Sequence, residues 1–233
     1  MTETALPTAV RRTVAFADAV YEGRAEIEAL EGILVEDEDL ITEVLSRRVV
    51  AVVVDPEAEV RRRLRPDLLV HAIMAKRNLG TRLTDARAVV ALRPGFFAGR
   101  DAHAVIETTR GPTLGRVITE GEALPDTGVP VDWHGFGRER ILRALREGVF
   151  VPLAHIGDRV KKGDVVGLVD GSPVVSQLDG VLRGMLREGL LVDAGFKLGD
   201  VDPNATVEDC YLVSDKAQEV ANGVLEAAEC LLT

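Results

Sequence analysis

Cysteine is nearly absent from these 233 residues: Cys210 and Cys230 stand alone, with no histidine beside either. That spacing builds no zinc site, and the two read as reduced thiols, buried or half-buried, of a cytoplasmic protein. A basic surplus is lacking as well. The net charge of -10, with arginines scattered among carboxylates, argues against nucleic acid as a partner, because phosphate binding needs a basic stripe. The one dense cluster, Arg61-Arg62-Arg63 with Arg65, follows Glu57 and Glu59 and reads as a solvated helix face. Long apolar runs are missing: the run at 49–54 stops between Arg48 and Asp55, far short of the ~20 residues of a membrane span, so no membrane partner is expected. The start, Met1-Thr2-Glu3-Thr4, has neither the basic nor the apolar part of a secretory signal. No G-x-G-x-x-G fingerprint occurs, and no serine or cysteine has an elbow or a base beside it, so neither a dinucleotide loop nor a nucleophilic triad is assembled.

What the chain does have is a duplication. Residues 148–171 and 180–203 align without gaps at an offset of 32, with eight identities: Gly148/Gly180, Val149/Val181, Gly157/Gly189, Val160/Val192, Gly163/Gly195, Gly167/Gly199, Val169/Val201 and Asp170/Asp202. Half are glycines, so the repeated object is a backbone trace of short strands and sharp turns. The segment 156–166, Ile-Gly-Asp-Arg-Val-Lys-Lys-Gly-Asp-Val-Val, resembles the first half of a biotinyl/lipoyl-type domain, which implies two quasi-symmetric halves closing into one small barrel-sandwich. In that family the cofactor-bearing lysine sits at the hairpin between the halves. The joining segment here, 170–177, has no lysine, and Lys161 and Lys162 read as solvated turn charges, so no covalent biotin or lipoate is expected.

Upstream, segments alternate in period. Residues 13–21 place Val14, Ala17, Val20 and Tyr21 on one helical stripe, and 38–47 do the same with Leu40, Ile41, Val44 and Leu45 behind the acids Asp37 and Glu38. The β-branched run 49–54 suits a strand buried on both faces, Asp55-Pro56 opens a helix over 57–64, and strands follow at 68–74 and 88–92. Strand, helix, strand in that order predicts an α/β fold with a Rossmann-like open sheet over 1–140, then the duplicated β barrel-sandwich over 141–205, then 206–233 as a strand and helix packing back on the α/β part. The glycine- and proline-rich stretch 120–137, with Trp133-His134-Gly135, reads as a surface loop, and 138–147 suits either a short helix or an entry strand. Ser214 caps the terminal helix, whose stripe would hold Ala217, Val220, Val224, Leu225 and Ala228. Asn222-Gly223 in its middle costs roughly 1 kcal/mol against alanine and calls for a compensating close approach.

Groups with chemical potential concentrate between 93 and 116. If 101–109 is one strand, period two puts Asp101, His103 and Glu107 on one face, a face able to accept a proton or orient a ligand hydroxyl; a half-solvated strand is the bland alternative. No metal is expected, since alternate side chains on a strand stand about 7 Å apart. The loop 110–116 pairs Arg110 and Arg116 with Gly111 and Gly115, the makings of a clamp for a phosphate or carboxylate, or an ordinary hairpin. Gly95 and Gly99 follow a strand, as do Lys76 and Asn78, and ligands of open α/β sheets gather there. His71, within a strand, reads as a satisfied core residue, whereas His134 and His155 read as exposed.

Taken together, 7–16, Ala75-Lys76-Arg77-Asn78-Leu79-Gly80-Thr81, the loop 95–99 with Asp101 and His103-Ala104-Val105-Ile106-Glu107-Thr108, Leu114-Gly115-Arg116-Val117-Ile118 and the barrel resemble the selenium-dependent molybdenum hydroxylase system proteins. The resemblance runs along essentially the whole chain and is most specific over 95–118. It implies an accessory or maturation factor for a xanthine dehydrogenase-like molybdenum hydroxylase, with that hydroxylase or its maturation machinery as partner and a small anionic ligand at the crevice. Family members usually open with a strand and a glycine-rich loop; this chain opens about where that unit would end, which puts nucleotide binding in doubt. It also has Pro112 where the family pattern has a histidine and His71 where it has an acid. Two other functions compete: an enzyme acting on a phosphorylated or nucleotide-like small molecule, with Glu107 or His103 as base, and a non-catalytic interaction module.

Overall fold

A computed structural model describes every residue except Met74, Lys76 and 126–135. The chain has a mixed α/β fold with several sheets and a C-terminal helix. It divides into two units, one made of Met1–Ala58 and Asp132–Val213, the other of Glu59–Val131 and Ser214–Thr233. The chain therefore passes from one unit to the other three times, after Ala58, Val131 and Val213.

The reason lies in the partners taken by Val50–Val54. Its β-branched residues form a strand as expected, with Ala51, Val52 and Val53 buried. It pairs in parallel with Leu30–Leu34 on one side and with Thr2–Glu3 on the other, in the order Thr2–Glu3, Val50–Val54, Leu30–Leu34, Arg24–Ile27. With both edges occupied it has none to offer Leu68–His71, so the βαβ unit predicted over 49–74 does not form. The stripe at 13–21 is also shorter than expected: 3-10 turns at Arg12–Val14 and Phe16–Asp18 precede one α-turn, Ala19–Glu22, because Ala15 between them is extended. Phe16 lies on Gly32, where a Cβ would come within 2.6 Å of the ring.

The rest of the first unit is the duplicated region, and its register follows the repeat. Two four-stranded sheets form, one ordered Ile141–Arg143, Lys197–Asp202, Gly180–Met185, Arg159–Val160 and the other Ser172–Val175, Val165–Val169, Gly148–Pro152, Leu191–Val192. Gly148 pairs with Val192 and Val149 with Leu191; at the offset of 32, these become Gly180 with Val160 and Val181 with Arg159. Phe150 against Val169 likewise becomes Leu182 against Val201. Each half thus lends its short second strand to the sheet of the other half. The turns are duplicated too, since Gly157 and Gly189, and Gly163 and Gly195, all have positive φ. Between the sheets lies one core that includes Phe150, Val169, Leu182, Met185, Leu198 and Val201. Residues 138–143 resolve as a 3-10 turn followed by an edge strand, and the segment after 205 has a 3-10 turn at Glu208–Cys210 where a strand was expected.

In the second unit, Leu68–His71, Ala88–Leu92 and Ala104–Ile106 run parallel, and Val117–Ile118 closes the sheet antiparallel. Parallel strands must be covered on both faces. Among the described residues, the crossovers contain no α-helix: 72–87 holds only the 3-10 turn Leu83–Asp85, and 93–103 only the two-residue strand Phe97–Ala98. Cover comes from elsewhere. Phe96, Ala98, Ala102 and Ala123 pack with Val89, Ala91 and Val105 on one face. The helix Asp215–Leu232 supplies the other, with Val220, Val224, Ala227 and Leu231 against Val90, Ala104 and Ile106. Leu225, assigned to that stripe on spacing, is instead 62% exposed. Ser214 caps the helix by accepting from the Ala217 N–H. Gly223 explains its own place: a Cβ there would lie 2.1 Å from the Gly115 carbonyl, and a Cβ on Gly115 would lie 2.5 Å from that of Glu219. Two glycines let a loop touch the helix backbone.

Candidate functional site

The carboxyl ends of the parallel strands of the second unit are where an open sheet gathers ligands, and most of the expected residues can be located relative to that rim. They do not all reach it. The strand expected over 101–109 is only Ala104–Ile106. His103 precedes it and Glu107 follows it, so the two stand at opposite ends of the sheet, about 13 Å apart at 3.3 Å per residue.

Each of the three presumed acid-base groups has a defined local partner. The His103 Nδ1 accepts from the Val89 N–H at 3.0 Å while the His103 backbone N–H donates to the Val89 carbonyl. Asp101 accepts from the Phe97 N–H at 2.8 Å and from the Nε and Nη2 of Arg100, whose guanidinium lies 5.0 Å over the Phe97 ring. The Arg100 hydrogen bond is the largest influence on Asp101 and, with the Phe97 N–H, outweighs burial to hold its pKa below the usual carboxylate value. Glu107 is 2% exposed. Its Oε1 accepts from the N–H groups of Thr108 and Thr109, and its Oε2 from that of Leu124, at 2.7 to 2.8 Å. Burial alone pushes the Glu107 carboxyl up, but the donors from Leu124, Thr109 and Thr108 prevail and hold it low. A carboxylate so engaged cannot take a substrate proton without abandoning a buried N–H, so it fastens the turn at 107–109 to the segment at 124.

The loop 110–116 is likewise built from inside. Gly111 has φ 141° and Gly115 φ 80°, and the loop closes through Leu114 N–H to the Gly111 carbonyl and Gly115 N–H to the Glu107 carbonyl. Gly115 owes its identity to the helix it touches. The Arg110 guanidinium grips both carboxylate oxygens of Asp215 at 3.1 Å, at the first turn of that helix. Arg116 is exposed, and its carbonyl accepts from the Glu107 N–H. The expected clamp therefore has one arm against Asp215 and one in solvent.

Asn78 closes its own turn: the side-chain oxygen accepts from the N–H groups of Gly80 and Thr81, and its amide donates to the Thr81 carbonyl. Lys76 and His134 lie outside the described residues. Gly95 has φ 105° and Gly99 φ 86°; Gly99 donates to the Ala102 carbonyl and so belongs to the return toward His103 rather than to the rim.

One rim residue was underrated. His71, at the carboxyl end of its strand, is 5% exposed, its Nδ1 meets the Thr81 hydroxyl at 2.7 Å, and its ring lies 4.6 Å from that of Phe96. Its Nε2 is buried with no partner among the described residues. Burial pushes its pKa down, so the ring is neutral at pH 7. It is a half-satisfied residue rather than the satisfied one expected, and the signal for this, a hydroxyl ten residues downstream, cannot be read without knowing the turn that Asn78 makes. Elsewhere, Cys210 is buried, Cys230 is exposed rather than half-buried, and the His155 side chain is 92% exposed. Arg61, read as solvated, is only 20% exposed and faces Asp85 at 3.5 Å.

Among the described residues no group of three or more His, Cys, Asp or Glu side chains could hold a metal, and no helix is long and apolar enough to cross a membrane. No family model matches the chain. It is 42% identical over 232 residues to the uncharacterized protein YqeB of Escherichia coli K12. That alignment covers all of this chain but 43% of that relative, so the chain spans less than half of its length. Three solved structures show weak likeness. An aspartoacylase family protein of Mesorhizobium loti is 22% identical, with 29% of this chain and 24% of that one covered and a TM-score of 0.27. A succinylglutamate desuccinylase of Silicibacter sp. TM1040 is 17% identical over 50% and 45%, at 0.25. The ectoine utilization protein EutE (DoeB) of Ruegeria pomeroyi is 13% identical over 86% and 83%, at 0.26. At such scores the likeness carries no argument about fold or activity.

Proposed function

We propose that this chain acts as an accessory or maturation factor for a selenium-dependent, xanthine dehydrogenase-like molybdenum hydroxylase, taking a small anionic ligand or a hydroxylase subunit at the rim that Gly95, His71 and the loop 110–116 form. The observation that carries it is the resemblance over 95–118, the same stretch that forms this rim and its supports. The finer fold goes with it: a Rossmann-like sheet and a biotinyl/lipoyl-like barrel-sandwich. The exchanged pairing of the two halves supports the latter, and the hairpin at 170–171 joins those halves without a lysine to carry a cofactor. The chain works in the cytoplasm, a reading supported by its two free thiols.

The test is complementation. In cells lacking this chain, hydroxylase activity should return with the wild type and with Asp215→Ala, which breaks the ion pair but keeps both guanidiniums, and should not return with Arg110→Ala/Arg116→Ala. Full activity with the double arginine variant would remove the anion from the proposal.

A second reading, the non-catalytic docking module, is favoured by one specific observation: Asp101, His103 and Glu107 all serve backbone donors, so none of these three expected bases is spare for chemistry. It predicts that Glu107→Gln, if folded, supports hydroxylase activation as the wild type does, whereas an enzyme using Glu107 as base would lose its turnover.

A further inference from the structure

Buried polar atoms without a partner are few among the described residues: the Nε of Arg11, Arg140 and Arg183, and the Nε2 of His71. Three of the four belong to one cluster of the first unit, far along the chain from any expected site residue. Native proteins leave few such donors, and each calls for an explanation, an ion among them.

The cluster is built by the second half of the duplication. Asp202, 2% exposed, ends the strand Lys197–Asp202, and its Oδ2 accepts from the Arg140 Nη2 at 2.9 Å and the Arg183 Nη1 at 2.8 Å. Its Oδ1 accepts from the Asn204 N–H. The segment 10–13 lies against the strand Gly180–Met185: the Val10 carbonyl accepts from the Met185 N–H, and the Arg12 Nε donates to the Met185 carbonyl. Gly184 makes room for it, since a Cβ there would stand 3.1 Å from the Val10 carbonyl and 3.2 Å from the Arg11 Cδ. Arg11 reaches the Asp209 carbonyl with Nη2. Lys197 faces Asp200 at 2.8 Å. The charged groups that meet here are thus Arg11, Arg140, Arg183 and Lys197 against Asp200, Asp202 and Asp209, a positive excess in a chain whose overall charge is -10. The guanidiniums of Arg11 and Arg183 are close enough to repel: beyond burial, Arg183 is what lowers the pKa of Arg11 most, against Asp200, Cys210 and Asp202.

Like charges held together with N–H donors unspent are the arrangement that arginine uses for oxyanions, because the guanidinium fork matches two oxygens at once. Arg140 gives Asp202 only one hydrogen of its Nε/Nη2 side, and Arg183 uses Nη1 and keeps its Nε–H. The side chains of Arg140 and Arg183 are each 17% exposed while the Nε of each is itself covered, so an anion that meets these donors must enter the cluster. We propose that Arg11, Arg140 and Arg183 form a binding site for a tetrahedral oxyanion of the phosphate class, free or as a phosphate ester, with Asp202 as the internal anion that keeps the arginines in place. The counterpart of Asp202 in the first half, Asp170, sits on an exposed hairpin and, among the described residues, accepts only from the Val149 N–H, so the site belongs to one half alone.

The experiment is a thermal unfolding titration of the full chain with inorganic phosphate, against sodium chloride at equal ionic strength, with acetate as the planar anion. A ligand at a hundredfold excess over its Kd should raise Tm by on the order of 5 °C. Phosphate should do so, and chloride and acetate should not. Arg11→Ala leaves both guanidinium contacts of Asp202 intact, and Arg183→Lys keeps a charge opposite it while losing the Nε–H; both should fold and lose the phosphate shift. Asp202→Asn should tighten phosphate binding about tenfold, the result of removing a competing anion. A shift that chloride reproduces, or one that survives in both arginine variants, overturns the site. A phosphate monoester that outdoes inorganic phosphate assigns the site to an ester; the reverse order assigns it to the free ion.

Discussion

Glu107 and Asp202 are equally buried, each 2% exposed, yet the two units solve the same problem in opposite ways. Glu107 is ringed by three backbone N–H groups at a turn and, among the described residues, meets no cation. Asp202 is met by two guanidiniums and a single backbone N–H. The first arrangement has no charge to spare and ties loop to loop. The second gathers more positive charge than it neutralises. A carboxylate held by the main chain is a fastener, whereas one held by arginines is also a counter-ion, and a counter-ion can be exchanged or joined by another. That difference is why the anion site is inferred at Asp202 while Glu107, the residue with the stronger claim on sequence alone, is denied a part in chemistry.

The largest effect should come from breaking the fastener. Glu107→Ala strands three N–H groups at roughly 1 to 3 kcal/mol each, so a loss of about 4 kcal/mol is expected in urea unfolding, after allowing for water reaching the exposed turn. Asp202→Ala should cost somewhat less, about 3 kcal/mol, because its guanidiniums reach solvent and can be hydrated once unpaired. If Asp202→Ala proves the costlier, ion pairing outweighs backbone capping here and the contrast between the two acids fails.

Acid sharpens the same contrast. The Glu107 pKa is depressed in the folded protein, so the unfolded chain binds a proton more readily. Its contribution is therefore complete above the ordinary glutamate value near 4.5 and is lost as the pH falls through the lower folded value. Stability followed from pH 7 downward should begin to fall below about pH 4.5 and should fall less steeply in Glu107→Gln. An equal slope in the two proteins would show that other carboxylates drive acid unfolding.

How far the sequence foretells this depends on whether the information is local. The repeated trace of short strands and sharp turns over 148–203 was legible because glycines at fixed offsets dictate where the chain must turn, whereas the exchange of a short strand between the two sheets was not, since the repeat does not record which edge each copy pairs with. Gly223 was legible as a close approach, though not its partner Gly115. The run 49–54 was legible as a strand, but which strands flank it depends on Thr2–Glu3 and Leu30–Leu34, and no period records that. The face shared by Asp101, His103 and Glu107 failed for a local reason of another kind. Period two holds only while a strand lasts, and this one ends at Ile106. The arginine cluster left no trace at all in the sequence, since Arg11, Arg140 and Arg183 come from three distant segments that meet only once the second half of the repeat has folded.

The smallest effect is the most informative about the duplication. Asp170 and Asp202 are the same repeat position, but Asp170 is exposed, with φ 43°, and accepts from the Val149 N–H at 2.9 Å. Asp170→Ala loses that bond at the surface and puts a Cβ-bearing residue without a polar anchor into left-handed backbone, together worth about 1 kcal/mol. The shift in denaturant midpoint should thus be about a third of that for Asp202→Ala, although the two changes are identical in chemistry and in register. Equal shifts would mean that the position does the same work in both halves, as a hairpin brace, and that the arginines around Asp202 add nothing to it. Unequal shifts would place the divergence of the two halves at this residue, where one copy kept the turn and the other acquired a counter-ion.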